Sequence, residues 1–428
     1  MFPADHPLRI ANFRAYWLSR FAGTIAVSAQ GIIIGWQVYG LAREQLHFSI
    51  ERAASMLGLI GLVQFVPLFL LTPVVGLVAD TYDRRWIVRG TTALLMLNAI
   101  TLGYLTWAGM LSLPFLFIAA AFVGVARAFS GPAYSALAPN LVSRETLPTA
   151  IAISTLAWQT GTIAGPSVGG VLYAIHPDAA YTTVAGLFVV ALALMMLIKP
   201  VPQPPSQSDR HPLQRILDGF RYVRQNRLVL ATITLDLFVV LLAGATALLP
   251  VYARDILHVG ASGLGVLAAG MGIGAAVASL WFSFRPMKSD VGVKMLVAVL
   301  IFAVAILTFG LSRWFLLSFA ALVVAGAADM VSVYVRTSLV QLHTPDAMRG
   351  RVSSVSQLTI SASNELGEAE SGLLASLLGP VGAVVFGGVG AIAITLFWSR
   401  LFPELRLAKS FDPPDILTIE PQHGEAKP

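Results

Sequence analysis

The chain has no cysteine among its 428 residues. Disulfides, thiolate nucleophiles and cysteine-based metal centres are therefore excluded. Charge is nearly as scarce. Only 12% of the residues are Asp, Glu, Lys or Arg, against roughly 25% in a soluble globular domain. The seven histidines are scattered and form no HxxH or HExxH pair, so no metal site is expected. Nor is there a nucleotide-binding or catalytic motif, so neither an enzyme nor a cofactor is expected. The opening stretch MFPADHPLRIANFRAYWLSR lacks the basic, apolar and cleavage-site order of a signal peptide. The first apolar run is expected to serve as an uncleaved targeting signal.

What is present in excess is apolar length. Hydrophobic residues make up 56% of the chain and the mean hydropathy is +0.76. Runs of about 18–25 apolar residues recur along it, each long enough to cross a hydrocarbon core of ~30 Å. Backbone groups in lipid must be satisfied within the segment, so these runs are helices. We read twelve, at 13–40, 53–79, 86–108, 111–135, 147–174, 179–199, 228–252, 261–284, 291–311, 314–341, 353–378 and 380–402. The stretch PVPQPPSQSDRHPLQRILDGFRYVRQNR splits them six and six. Its Pro/Ser/Gln start reads as a linker. Leu213, Ile216, Leu217 and Phe220 then recur at helical spacing, opposed by Arg215, Arg221 and Arg224, as in a helix lying on a membrane surface. The expected divisions are a bundle at 1–199, a linker at 200–227, a second bundle at 228–408 and a tail at 409–428.

The net charge of +6 does not indicate nucleic-acid binding, because the basic residues flank the spans on one side. Outside the spans, only Arg43, Arg52, Arg254 and Arg313 fall on the other side. By the positive-inside rule both termini and the middle loop are cytoplasmic. A weak internal repeat relates LVSRETL from Leu141 to LHTPDAM from Leu342, at an offset of 201 residues. Repeated six-helix halves with a site between them are a recurring transporter plan.

Several polar groups interrupt the apolar background. GLVADTYDRR follows the second span and holds Gly76, Asp80, Arg84 and Arg85 in a G-x-x-x-D-x-x-x-R-R spacing. The fifth span carries TGTIAGPSVGG, in which Gly161, Gly165, Pro166, Gly169 and Gly170 permit close helix packing and a kink. Arg127 lies inside the fourth span, where a charge costs about 2.5–3.5 kcal/mol on insertion scales. It therefore faces either a cavity or a structural ion-pair partner. Asp236 in the seventh span, Arg336 and Asn364 are candidates for the cavity lining, although Asp236 taken alone reads best as a solvated or capped acid. Asp329 and Arg336 share a face of the tenth span but stand about 10.5 Å apart along its axis. Asp329 sits near the repeat-equivalent of Arg127, which allows a pair across a central cavity. In the first span Arg20, Gln30 and Gln37 offer a polar lining, and Trp36 and Trp158 are candidate cavity aromatics.

The eleventh span holds three acids in SNELGEAESG, from Ser363 to Gly372. At 100° per residue, Leu366, Leu373 and Leu377 mark an apolar face. Asn364 and Glu368 gather opposite, with Glu365 on the flank, while Glu370 falls on the apolar side. Glu365 and Glu368 are the expected cavity carboxylates and proton carriers. Glu370 is expected in a structural polar network.

The loop after the second span resembles the gating motif of the major facilitator superfamily, with Thr81 and Asp83 departing from the family's usual residues. TGTIAGPSVGG resembles the motif of its exporters. RAFSGPAYSALAPNLV, TPDAMRGRVSS and RLFPELR resemble the branch that holds enterobactin and macrolide-type drug exporters. The resemblance covers nearly the whole chain. It implies an all-α membrane protein with twelve transmembrane helices in two pseudo-symmetric six-helix bundles. It further implies a monomer of the bacterial inner membrane that exports a small amphipathic siderophore or drug by alternating access, in exchange for protons. Coupling would fall to Glu365, Glu368, Asp329 and Arg127. A lysophospholipid flippase of the same fold is the alternative cargo, and a membrane enzyme the alternative class.

Overall fold

A chain in lipid has to close its hydrogen bonds inside each segment, and the regular elements among the described residues are helical throughout. The computed structural model describes residues 6–143, 145–201, 212–285, 287 and 289–411, with the backbone alone at 73, 76, 77, 79, 80, 212, 213, 215, 216, 346 and 347.

The first half runs α1 (Ala11–Glu44), α2 (Ile50–Thr81), α3 (Arg84–Trp107), α4 (Leu113–Leu137), α5 (Leu147–Ile175) and α6 (Pro177–Met196). Helix α7 (Pro212–Gln225) follows the linker. The second half runs α8 (Arg227–Leu242), the short α9 (Leu249–Val251), α10 (Gly260–Phe284), α11 (Val291–Leu311), α12 (Phe315–Leu342), α13 (Asp346–Leu401) and α14 (Pro403–Leu407). Local chemistry sets several starts. The Ser49 hydroxyl accepts from the Arg52 amide at α2, Asp83 accepts from the Arg85 amide at α3, and Asn226 accepts from the Val229 amide at α8.

Ten described helical stretches are long and apolar enough to cross a membrane. Two features account for the difference from the twelve expected spans. Helix α13 runs 56 residues but turns at Gly379, whose φ of 75° precedes Pro380, so it has two arms. A side chain at that φ would be strained, and the proline cannot continue the helix ladder. Helix α5 is 29 residues long and is not among the ten, its apolar run being diluted by Thr, Ser, Gly and Pro. The seventh span also differs from a plain helix. After α8 it passes through a 3-10 turn at Ala245–Leu248, then α9, then a π-helical turn at Tyr252–Ile256.

Within the first half α1 packs on α5 and α6, α2 on α4, and α3 on α4 and α6. Within the second half α10 and α11 pack on α12, and α13 packs on α8 and α11. The halves meet along two seams, α2 with the first arm of α13, and α5 with α10. Lipid tails are as apolar as leucine, so these seams rely on close contact between small residues. A Cβ on Gly372 would stand 2.4 Å from the Gly58 Cα, a separation no real side chain tolerates. Gly58 is near the start of α2 and Gly372 near the end of the first arm of α13. This seam therefore closes on the face away from the chain termini.

Helix α7 corrects one expectation. It does not simply lie on a membrane surface, because it is docked on the start of α13. Asp218 pairs with Arg351 at 3.2 Å, and the Tyr222 hydroxyl donates to the His343 carbonyl at 2.7 Å. Val223 is buried there, whereas Leu217 and Phe220 are exposed. The side chains of Leu213, Arg215 and Ile216 lie outside the described residues.

Candidate functional site

Between the halves lies a cavity of about 660 Å³, within the usual 300–1,000 Å³ range of ligand sites. Its walls come from all six helices of the first half and, in the second, from the 3-10 turn after α8, α9, α10 and the first arm of α13. Among the described residues its charged lining is Arg20, Arg127 and Glu368. The remaining lining is apolar or uncharged, including Gln64, Tyr134, Trp158 and Gln357.

Arg127 projects from α4 and reaches across to the other half. Its Nη1 donates to Glu365 Oε1 at 2.5 Å and to Gln64 Oε1 at 3.1 Å. The pair is asymmetric: the Arg127 side chain is 43% exposed and that of Glu365 only 3%. Glu365 thus sits within the α2–α13 seam, and Glu368, one turn on, faces the cavity. Both acids lie against Gly61 of α2, where a Cβ would come within 2.7 Å of the Glu365 carbonyl and 2.8 Å of the Glu368 Cβ. A larger residue there would push α2 off the acidic stretch. Gln64 was not singled out in the sequence. Its signal is a lone amide in the apolar run GLVQFVP.

Arg20 is held by the first half. Its guanidinium donates to the Tyr16 hydroxyl and to Ser154 Oγ, each at 2.9 Å, and lies 5.6 Å from the Tyr134 ring centre. Trp158 lines the cavity and is 48% exposed.

Other candidates fall elsewhere. Asp329 does not meet Arg127, which is engaged by Glu365. It has no hydrogen-bond or ion-pair partner among the described residues, and no residue of its helix α12 lines the cavity. Asp236 is not a solvated or capped acid. It forms an ion pair with Arg336 inside the second half, both side chains being under 10% exposed. Neither lines the cavity. Gln30 is fully buried with neither amide atom bonded, and Gln37 is tied to Thr106 and to the Tyr181 hydroxyl. Asn364 is exposed and outside the cavity. Trp36 and Gln37 line a second pocket instead. Glu370 lacks the expected network, since its buried Oε2 has no partner.

The two motifs have distinct surroundings. Arg85 pairs with Asp83 at 2.5 Å and donates to the Ile198 carbonyl, and Arg84 donates to the Ala136 carbonyl at 3.2 Å. Burial opposes the Asp83 carboxylate. Hydrogen bonds from the Arg85 side chain and amide outweigh it and hold the carboxyl below the usual range. These contacts remain within the first half. The side chains of Gly76 and Asp80 lie outside the described residues. On α5, Gly161, Gly165 and Gly169 face Thr24, Ser28 and Ala29 of α1, whereas Gly170 faces Gly265 of α10. Pro166 lines the cavity. The motif thus joins α5 to its own half and to the opposite one.

Solved structures share this arrangement of two helical halves around a cavity. A bacterial homologue of the human lysosomal transporter Spinster, inward-facing and occupied, superposes with a TM-score of 0.72 at 16% identity, covering 94% of this chain and 98% of that one. A D-xylose–proton symporter gives 0.72 at 14% identity, covering 92% and 98%. The fold is that of the major facilitator superfamily, and the chain is a transporter rather than an enzyme. The family model for transmembrane secretion effectors matches residues 4–415, and the chain belongs to that family. Among curated relatives, the enterobactin exporter EntS of Citrobacter koseri is 28% identical over 399 residues, 92% of each chain. That of Escherichia coli is 27% identical over 406 residues, 94% of each chain.

Proposed function

We propose that the protein exports a small, amphipathic, anionic molecule of the siderophore or drug type by alternating access, in exchange for protons. The observation that carries this reading is the Arg127–Glu365 pair, which spans the two halves beside the cavity-facing Glu368. Arg127 is the exposed partner and Glu365 the buried one. Exchange requires proton and substrate to occupy the site in turn, so the acids beside Arg127 take a proton from the outer side once the substrate has left. They release it to the cytoplasm as the next substrate enters beside Glu368, so the proton crosses inward while the substrate crosses outward. The cavity lining holds two cations and one acid, which favours an anion and disfavours a lysolipid that has no net charge. The enterobactin exporters among the relatives support a siderophore-like cargo.

Inward proton movement through 100 mV supplies about 2.3 kcal/mol per charge. We place both termini on the cytoplasmic side, from the distribution of Lys and Arg. The working unit is a monomer of the bacterial inner membrane, with halves at 1–199 and 228–408. Everted vesicles containing the protein should accumulate substrate only while a proton gradient is held. Accumulation that survives an uncoupler would remove the proton from the mechanism. Glu365→Gln and Glu368→Gln should each cut gradient-driven uptake by tenfold or more while the protein still folds. Wild-type rates in both would remove these acids from the coupling step.

A further inference from the structure

A second pocket of about 610 Å³ opens at the face away from the termini. It is lined by Trp36, Gln37 and Glu44 near the end of α1, by Tyr173 near the end of α5, and by Arg254 and His258 around the π-helical turn. Single π turns within helices concentrate at functional sites. This one places Arg254 and Asp255 against α1, in the other half. Arg254 pairs with Glu44, and Asp255 accepts from the Tyr39 hydroxyl and lies 3.8 Å from Arg43.

The Arg254–Glu44 pair is lopsided. The Glu44 side chain is 68% exposed and that of Arg254 25%. The guanidinium stands 5.9 Å from the Trp36 ring centre, a cation placed over an aromatic face. A pair with so exposed an acid is weak, so Glu44 is readily displaced. The pocket therefore offers one anchored cation, an aromatic wall from Trp36 and Tyr173, and a carboxylate that can leave.

We propose that this vestibule is a second binding site, for an anionic aromatic small molecule, in which the anion takes Arg254 from Glu44. As the exit side of the transport path it rests on the export reading above. Binding there would also undo one of the ties that hold α1 to the second half, leaving the Tyr39–Asp255 contact in place. The arriving anion thus loosens the closure of this face.

The test uses the full chain in detergent, titrated with 2-naphthoate and with its neutral counterpart 2-naphthamide, reading tryptophan fluorescence. In a Trp158→Phe background, which silences the central cavity, naphthoate should give a saturable quenching component that Trp36→Phe removes. Glu44→Gln removes the competitor and should tighten naphthoate about tenfold, or 1.4 kcal/mol. Arg254→Gln should weaken it about tenfold, and neither change should move naphthamide. A purely structural pair would leave naphthoate affinity unchanged or weaker in Glu44→Gln, and that result overturns the proposal. So does a quenching component that keeps its full size when Trp36→Phe is added to the Trp158→Phe background. Glu44 is a surface residue, so its variant remains informative if Arg254→Gln fails to fold. Efflux measured after the same proteins are reconstituted into sealed vesicles separates the two readings. Absent wild-type efflux with the predicted affinities overturns export and leaves the vestibule standing. Intact efflux with unchanged affinities does the reverse.

Discussion

Charged residues inside the spans arrange themselves as pairs or as isolated acids, and the energetics differ. Arg336 and Asp236 are buried together within the second half, where each neutralises a charge that would otherwise be costly. Removing one partner leaves the other uncompensated, at a cost of about 3–5 kcal/mol. Asp236→Asn should therefore lower the unfolding midpoint of the detergent-solubilised protein sharply. The double change Asp236→Leu with Arg336→Met should restore most of it. Arg127 and Glu365 are paired as well, but between halves and beside open space, so under the proposed alternating access their pair would be made and broken. Spacing along α13 put Glu365 and Glu368 on one side of that helix and Glu370 on another. It did not reveal that Arg127 would choose Glu365 over Asp329, because that choice depends on which helices adjoin. Asp236 was read as a solvated acid for the same reason: its partner is 100 residues away in the chain.

Among the elements, α5 and the first arm of α13 occupy equivalent places. Helix α5 packs on α1 in its own half and on α10 across the seam. The first arm of α13 packs on α8 and, across its seam, on α2. The offset of 201 residues aligns the glycine–proline motif of α5 with the acidic stretch of α13. The same seam position thus holds a small-residue contact on one side and, on the other, a small-residue contact with carboxylates added. Gly372→Val should block the approach to Gly58 and hold that seam apart. Because the chain has no cysteine, introduced pairs on α2 and α13 can carry spin labels without background. The label separation should widen by several ångströms in the valine variant. An unchanged separation would show that the seam yields elsewhere.

At the scale of the molecule, the named cross-half contacts other than those of Glu365 and Glu368 beside the cavity gather on one side. Gly58 with Gly372, Gly170 with Gly265, and Glu44 with Arg254 all join the halves toward the face opposite the termini. Alternating access requires these to part while the halves approach on the terminal face. Spin-label pairs placed on the two faces should therefore change in opposite senses when the pH is lowered or substrate is added. Distances that move together, or not at all, would argue against rocking halves.

Composition and hydropathy alone determined that this is a helical membrane protein, because lipid leaves no other way to satisfy the backbone over such runs. Short motifs pointed to the transporter class, and spacing sorted the three glutamates by helix face. Several features were decided only by tertiary structure. These include the partner of Arg127, the Asp236–Arg336 pair, the π turn that aims Arg254 at α1, the docking of α7, and the withdrawal of Gln30, Gln37 and Asp329 from the central cavity. Periodicity fixes where a side chain points on its own helix. What it meets there depends on neighbours tens or hundreds of residues distant, and only the packed halves supply them.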